Sequence, residues 1–171
     1  GVARLYGGGV VAPLVYLVGK DHITVKGLTF DIGVGKVPRG YFAPHISPGG
    51  VFLVSNCADV EILNCRGGSD RVLGWGLGSN FLNGGKVRGL RMEGNVSWGS
   101  RYHVGLSDAS DVLVKNNTFA ATGIQSFIVD RKAVNIRILN NIWYGPCGWK
   151  KNNEVILFGR RGRTSSLTTT F

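Results

Sequence analysis

An eight-residue pattern occurs five times along the chain and constrains most of what it can fold into. The copies are residues 23–30 (ITVKGLTF), 60–67 (VEILNCRG), 90–97 (LRMEGNVS), 112–119 (VLVKNNTF) and 136–143 (IRILNNIW). They start 37, 30, 22 and 24 residues apart. A period that settles near two dozen residues marks repeats that stack, each one supersecondary unit burying its apolar face against the next. Positions one and three are aliphatic or Met in every copy: Ile23/Val25, Val60/Ile62, Leu90/Met92, Val112/Val114 and Ile136/Ile138. Positions two and four are mixed. That is the period-two alternation of a strand with one buried face.

Positions five and six favour Gly and Asn, the residues that tolerate a left-handed backbone at a sharp corner. Asn95, Asn117 and Asn141 share position six, where Leu28 and Cys65 stand in the first two copies. Stacking would place these amides in one column, each bonding the backbone of a neighbouring turn. A second apolar block sits nine residues before each copy: 14–17, 51–54, 81–82, 103–106 and 127–129, with a sixth at 155–158. Val15, Phe52, Leu82, Val104 and Ile128 align within it as the inward residues. Alternation then turns Leu14/Tyr16, Val51/Leu53, Phe81/Asn83, His103/Gly105 and Phe127/Val129 outward, an apolar strip with one His. No segment shows sustained helical periodicity.

Strand, corner, strand, Asn corner, short third strand and variable loop resemble the right-handed parallel β-helix of the pectin-lyase-like superfamily. Residues 111–119 (DVLVKNNTF) and 135–143 (NIRILNNIW) carry the resemblance most clearly, and it extends over about residues 10–160. It implies an all-β fold, a right-handed single-stranded parallel β-helix or solenoid of about five to six coils. The β-helix domain is assigned to 1–159. Residues 160–171, basic, polar and without the repeat pattern, form a tail, disordered or part of an incomplete coil. Open ends of such a stack need a cap, and no amphipathic capping helix is visible. A partner copy or a missing capping segment would supply it. The chain opens on Gly1 rather than Met, as a mature form, a trimmed chain or part of a longer product would.

The 171 residues suit one domain, and a formal charge of +10 with a pI near 10 attracts polyanions. Cys57, Cys65 and Cys147 have no CxxC spacing, which argues against a disulfide framework and a zinc site. No signal peptide and no long apolar span occur, so no membrane partner is expected. A secreted or periplasmic location follows from the superfamily resemblance alone. The cations are spread along the chain, and no RNA-binding signature or DNA-reading helix is present, which argues against nucleic acid.

In the superfamily, substrate lies along the first strand block, walled by the variable loops. Here those loops carry Lys36, Arg39, Tyr41, His45, Trp75, Arg101, Tyr102, Trp149 and Lys150. Aromatic faces stack on sugars and Arg forks bind carboxylates, so this edge is expected to bind an acidic polysaccharide. A polysaccharide lyase acting by β-elimination needs a base for the proton alpha to a uronate carboxylate and a cation to neutralise that carboxylate. His103, on the groove floor, and Arg101 are the candidates. The paired acids of a glycosidase are missing, since Asp111 sits at a recurrent turn position shared with Asp59. No cofactor is expected. Calcium would draw on Asp108 and Asp130, with no loop acidic enough to make a clear motif. Against the carbohydrate reading stands a noncatalytic module that assembles through its apolar strip or open ends.

Overall fold

The computed structural model describes residues 3–6, 13–31, 49–68, 79–100, 102–120, 125–130, 132–144, 156–158 and 167–170. These form strands and corners only. The strands are β1 (Arg4–Tyr6), β2 (Pro13–Val18), β3 (Ile23–Lys26), β4 (Thr29–Asp31), β5 (Gly49–Leu63), β6 (Arg66–Gly68), β7 (Ser79–Glu93) and β8 (Val96–Trp98). They continue as β9 (Tyr102–Ser107), β10 (Ser110–Lys115), β11 (Thr118–Ala120), β12 (Gln125–Asp130), β13 (Val134–Leu139), β14 (Ile142–Tyr144), β15 (Ile156–Phe158) and β16 (Leu167–Thr170). Every pairing among the described residues is parallel, in a six-stranded sheet ordered β1-β4-β6-β8-β11-β14 and a ten-stranded sheet holding the rest. Each repeat adds one short strand to the first sheet and a longer stretch to the second.

Corners are built from left-handed residues in register. One column holds Gly19, Asn56, Lys86, Asp108 and Lys132, all at positive φ. A second holds His22, Asp59, Gly89, Asp111 and Asn135, and the third is position five of the repeat: Gly27, Asn64, Gly94, Asn116 and Asn140. Asp111 is thus a corner residue, as its recurrence with Asp59 indicates. Gly, Asn and Asp supply the left-handed backbone at the lowest steric cost.

Position three of the repeat forms one column through the ten-stranded sheet: Val25, Ile62, Met92, Val114 and Ile138. All but Val25 are fully buried, and Val25, in the first copy, is half-buried. Beside it the Asn column closes the turn. The Nδ2 of Asn95 donates to Ile62 O (2.8 Å), that of Asn117 to Met92 O (3.1 Å) and that of Asn141 to Val114 O (2.9 Å). Each Oδ1 accepts from the backbone of the turn before: Cys65 N at 2.8 Å, Asn95 N at 2.9 Å and Asn117 N at 2.9 Å. Each Nδ2 also reaches the next Oδ1, 2.9 Å away in both steps. The buried peptide groups of the corner are therefore satisfied by side chains.

The first strand block departs from simple alternation. Registry aligns Val15, Phe52, Leu82, Val104 and Phe127, so Phe127 rather than Ile128 occupies the inward column. Val51, Phe81, His103 and Val129 are buried too, and the outward set reduces to Tyr16, Leu53, Asn83, Gly105 and Ile128. Adjacent residues 51 and 52 are both interior, as are 81 and 82, and 103 and 104. The reason lies in the third strands. Their central residues, Phe30, Gly67, Ser97, Phe119 and Trp143, turn toward the core; Val51 and Phe81 lie over Gly67, and His103 over Ser97 and Phe119. A Cβ added to Gly67 would sit 2.8 Å from Val51 and 3.3 Å from Phe81.

The stretch 160–171 contributes β16, which pairs with β13 through Ile136↔Leu167 and Ile138↔Thr169. Sequence inspection passes over this sixth copy because Thr169 stands where every other copy has an aliphatic residue or Met.

Candidate functional site

The connections 32–48, 69–78, 99–101, 121–124 and 145–155 leave the ends of β4, β6, β8, β11 and β14, which are successive neighbours in the six-stranded sheet. They re-enter at β5, β7, β9, β12 and β15, again successive neighbours. All five therefore depart from and return to one seam. By sequence these segments hold six Lys or Arg (Lys36, Arg39, Arg71, Arg101, Lys150, Lys151) against Asp70 and Glu154. Trp75 and Trp149 fall in the same segments.

Of the site residues expected from sequence, Lys36, Arg39, Tyr41, His45, Trp75, Arg101, Trp149 and Lys150 lie outside the described residues. Tyr102 opens β9 at the seam and is half-buried, in register with Asn80 and Gln125. His103 is the correction. It is fully buried, not on a groove floor. Its Nδ1 lies 2.7 Å from Ser97 Oγ, which in turn lies 3.4 Å from Ser100 Oγ, and its ring packs on Phe119 with centroids 5.1 Å apart. Its Nε2 is buried with no partner among the described residues. Burial holds the imidazole neutral by pushing its pKa down from 6.5 to about 3. A group walled in by Phe119 and the sheet cannot reach a substrate proton, since a general base must lie within hydrogen-bond distance of it. Sequence alternation missed this because His103 replaces the Phe81 and Val51 of earlier repeats. The signal was available in the partner column, where Ser97 stands among Phe30, Gly67, Phe119 and Trp143.

Asp108 is an exposed left-handed corner residue, and Asp130 lies on β12 in register with Ser107. Among the described residues no cluster of three or more His, Cys, Asp or Glu could hold a metal ion. The acids on the outer face of the second strand block are engaged. Arg91 bridges Glu61 (3.1 Å) and Glu93 (2.7 Å), Lys115 stands 3.6 Å from Glu93, and Thr24 donates to Glu61 at 3.1 Å. The hydrogen bond from Arg91 holds the Glu93 carboxyl below its ordinary range.

The third strands present a different surface. Their last residues form a column, Asp31, Gly68, Trp98, Ala120 and Tyr144, at the foot of the seam. Their first residues form the adjacent column, Thr29, Arg66, Val96, Thr118 and Ile142. Arg66, Ile142 and Tyr144 are exposed, Tyr144 by 75%. Trp98 is half-buried and its indole lies against Gly68, where an added Cβ would strike first the Trp98 carbonyl and then the ring. Gly68 allows both the close approach of the Trp98 backbone and the seating of the indole on the sheet.

No family model matches the chain, and no curated protein matches it. Among solved structures, a trypsin-treated variant of QnrB1, a plasmid-mediated fluoroquinolone resistance protein, aligns over 94% of this chain and 93% of that one at 10% identity, with a TM-score of 0.17. A second variant of the same protein aligns over 93% and 92% at 11% identity, with a TM-score of 0.14. Superpositions of that quality carry no argument about fold or function.

Proposed function

We propose that the chain is a right-handed single-stranded parallel β-helix of about five to six coils that binds an acidic polysaccharide along its loop seam without cleaving it. The fold reading is supported by the way each repeat adds parallel strands to both sheets in chain order, together with the strong right-handed preference of parallel crossovers. One observation carries the function. Five connections issue side by side from the same seam, and they hold six cations against two acids. A positive strip of that kind concentrates a polyanion, and its Arg forks suit carboxylates. Binding without cleavage is favoured because His103, the candidate base, is enclosed in the core.

The test is equilibrium binding to polygalacturonate and alginate beside a neutral β-glucan, across a salt series. Polyuronate binding is expected to weaken steadily with salt, as screening shortens from ~8 Å at physiological ionic strength to ~3 Å at 1 M. The neutral glucan is expected to bind far less. Equal affinity for both, or salt-insensitive binding, would reject the ionic reading. Ultraviolet-absorbing unsaturated ends in the digest would reject the noncatalytic one.

A further inference from the structure

The exposed face of the six-stranded sheet carries a feature that the loop charge does not require. Trp98 and Tyr144 lie in one column, two strands apart, with only Ala120 between them. At ~4.8 Å per strand step their backbones are ~10 Å apart along the stack. The indole leans further away, onto Gly68. Two aromatic platforms thus sit along the axis with room for two or three sugar rings between their centres. Ala120 is small, so nothing bulky interrupts the surface between the two rings, and Asp31 stands beyond Gly68 at the far side of Trp98. Arg66 is exposed in the adjacent column, one strand from Val96, which precedes Trp98 by two residues. The column ends at the mouths of the cationic connections.

We infer that a linear polyuronate lies parallel to the stack axis across β6, β8, β11 and β14. It stacks on Trp98 and Tyr144, with its carboxylates toward Arg66. This rests on the polysaccharide reading above and adds to it a direction, a footprint and two named contacts. The exposed Arg66 favours a uronate over a neutral glycan, and Asp31, on the neighbouring strand, sets the limit of the footprint on that side. Aromatic faces supply the apolar contact that sugar ring faces need. Surface-exposed Tyr144 serves no core packing: the ring contacts of this end of the core belong to Phe119, Phe127 and Trp143.

The experiment compares wild type, Tyr144→Ala and Tyr144→Phe for binding to size-fractionated oligogalacturonates. A single-stranded oligonucleotide of similar charge serves as a competing polyanion. Because Tyr144 is 75% exposed, Tyr144→Ala is expected to keep the wild-type melting temperature. It is expected to lose about five- to tenfold in affinity for long oligomers, the scale of one aromatic contact. Tyr144→Phe is expected to bind like wild type. Affinity is expected to rise sharply once the oligomer can span both rings, and a dimer is expected to be insensitive to Tyr144→Ala. A wild-type protein that binds no polyuronate would defeat the polysaccharide reading itself. Salt-dependent binding that is indifferent to Tyr144→Ala at every length would defeat only the placement across these strands. Tighter binding of the oligonucleotide, lost in Tyr144→Ala, would replace the glycan as the ligand.

Discussion

At the scale of single residues, His103 shows how a polar group can be kept inside an apolar core. Its imidazole stays neutral in the fold, with a pKa near 3, whereas in the unfolded chain it titrates near its ordinary 6.5. Between those values the unfolded state binds more protons, so stability falls as pH drops from ~6.5 toward ~3 and levels off below that. The loss at pH 4 amounts to roughly 3 kcal/mol. Urea denaturation of wild type at pH 7 and pH 4 should show it. The double variant Ser97→Gly/His103→Phe recreates the Gly67–Phe81 arrangement of the preceding repeat and should lose that part of the pH dependence. Equal pH sensitivity in both proteins would mean that surface carboxylates set the acid response. Cys65 illustrates the opposite fate of a titratable group. Burial raises its thiol pKa, so it acts as a small apolar side chain and not as a nucleophile.

At the scale of elements, the corner after the second strand block is where sequence and energetics meet most directly. Asn117 makes contacts with Met92 O, Asn141 Oδ1 and the Asn95 backbone and side chain. Asn117→Ala should cost about 1–3 kcal/mol, because buried peptide groups lose their partners. Cys65 offers the reverse experiment. Its Sγ stands 3.7 Å from Val25 O, the place where the other copies put an amide nitrogen. Cys65→Asn should extend the column and gain about 0.5–1.5 kcal/mol. A melting series of the two variants and wild type would order them, and a destabilised Cys65→Asn would show that the corner cannot accept a fourth amide. This column was legible in the sequence because position six repeats a single residue type with a single role. The first strand block was less so. Ile128 and Phe127 are both apolar, so hydrophobicity alone could not say which one shares a column with Val104, and adjacent buried residues broke the alternation. The loop edge rests on composition alone, since Lys36, Trp75 and Arg101 lie outside the described residues, and alternation misplaced His103, the strand residue expected beneath them.

At the scale of the whole molecule, all described strand pairings are parallel and join successive repeats, so the hydrogen bonds between strands point along the stack. In the proposed β-helix, stability approximates a sum of layer-to-layer terms. Those layers are unequal. The Asn column links the later repeats, while Leu28, which has no amide, stands at the equivalent place in the first. Tension applied along the axis therefore loads these interfaces in series, and the chain should behave as a graded tether. With handles at residues 3 and 144, pulling in an optical trap should open the layers in steps, with residues 13–31 peeling away at the lowest force. The amide-linked layers should hold longest, and Asn117→Ala should lower the force of the later steps while leaving the first unchanged. The proposed β-helix is expected to yield from one end, keeping its most strongly laddered layers, those that carry Trp98 and Tyr144, intact until last.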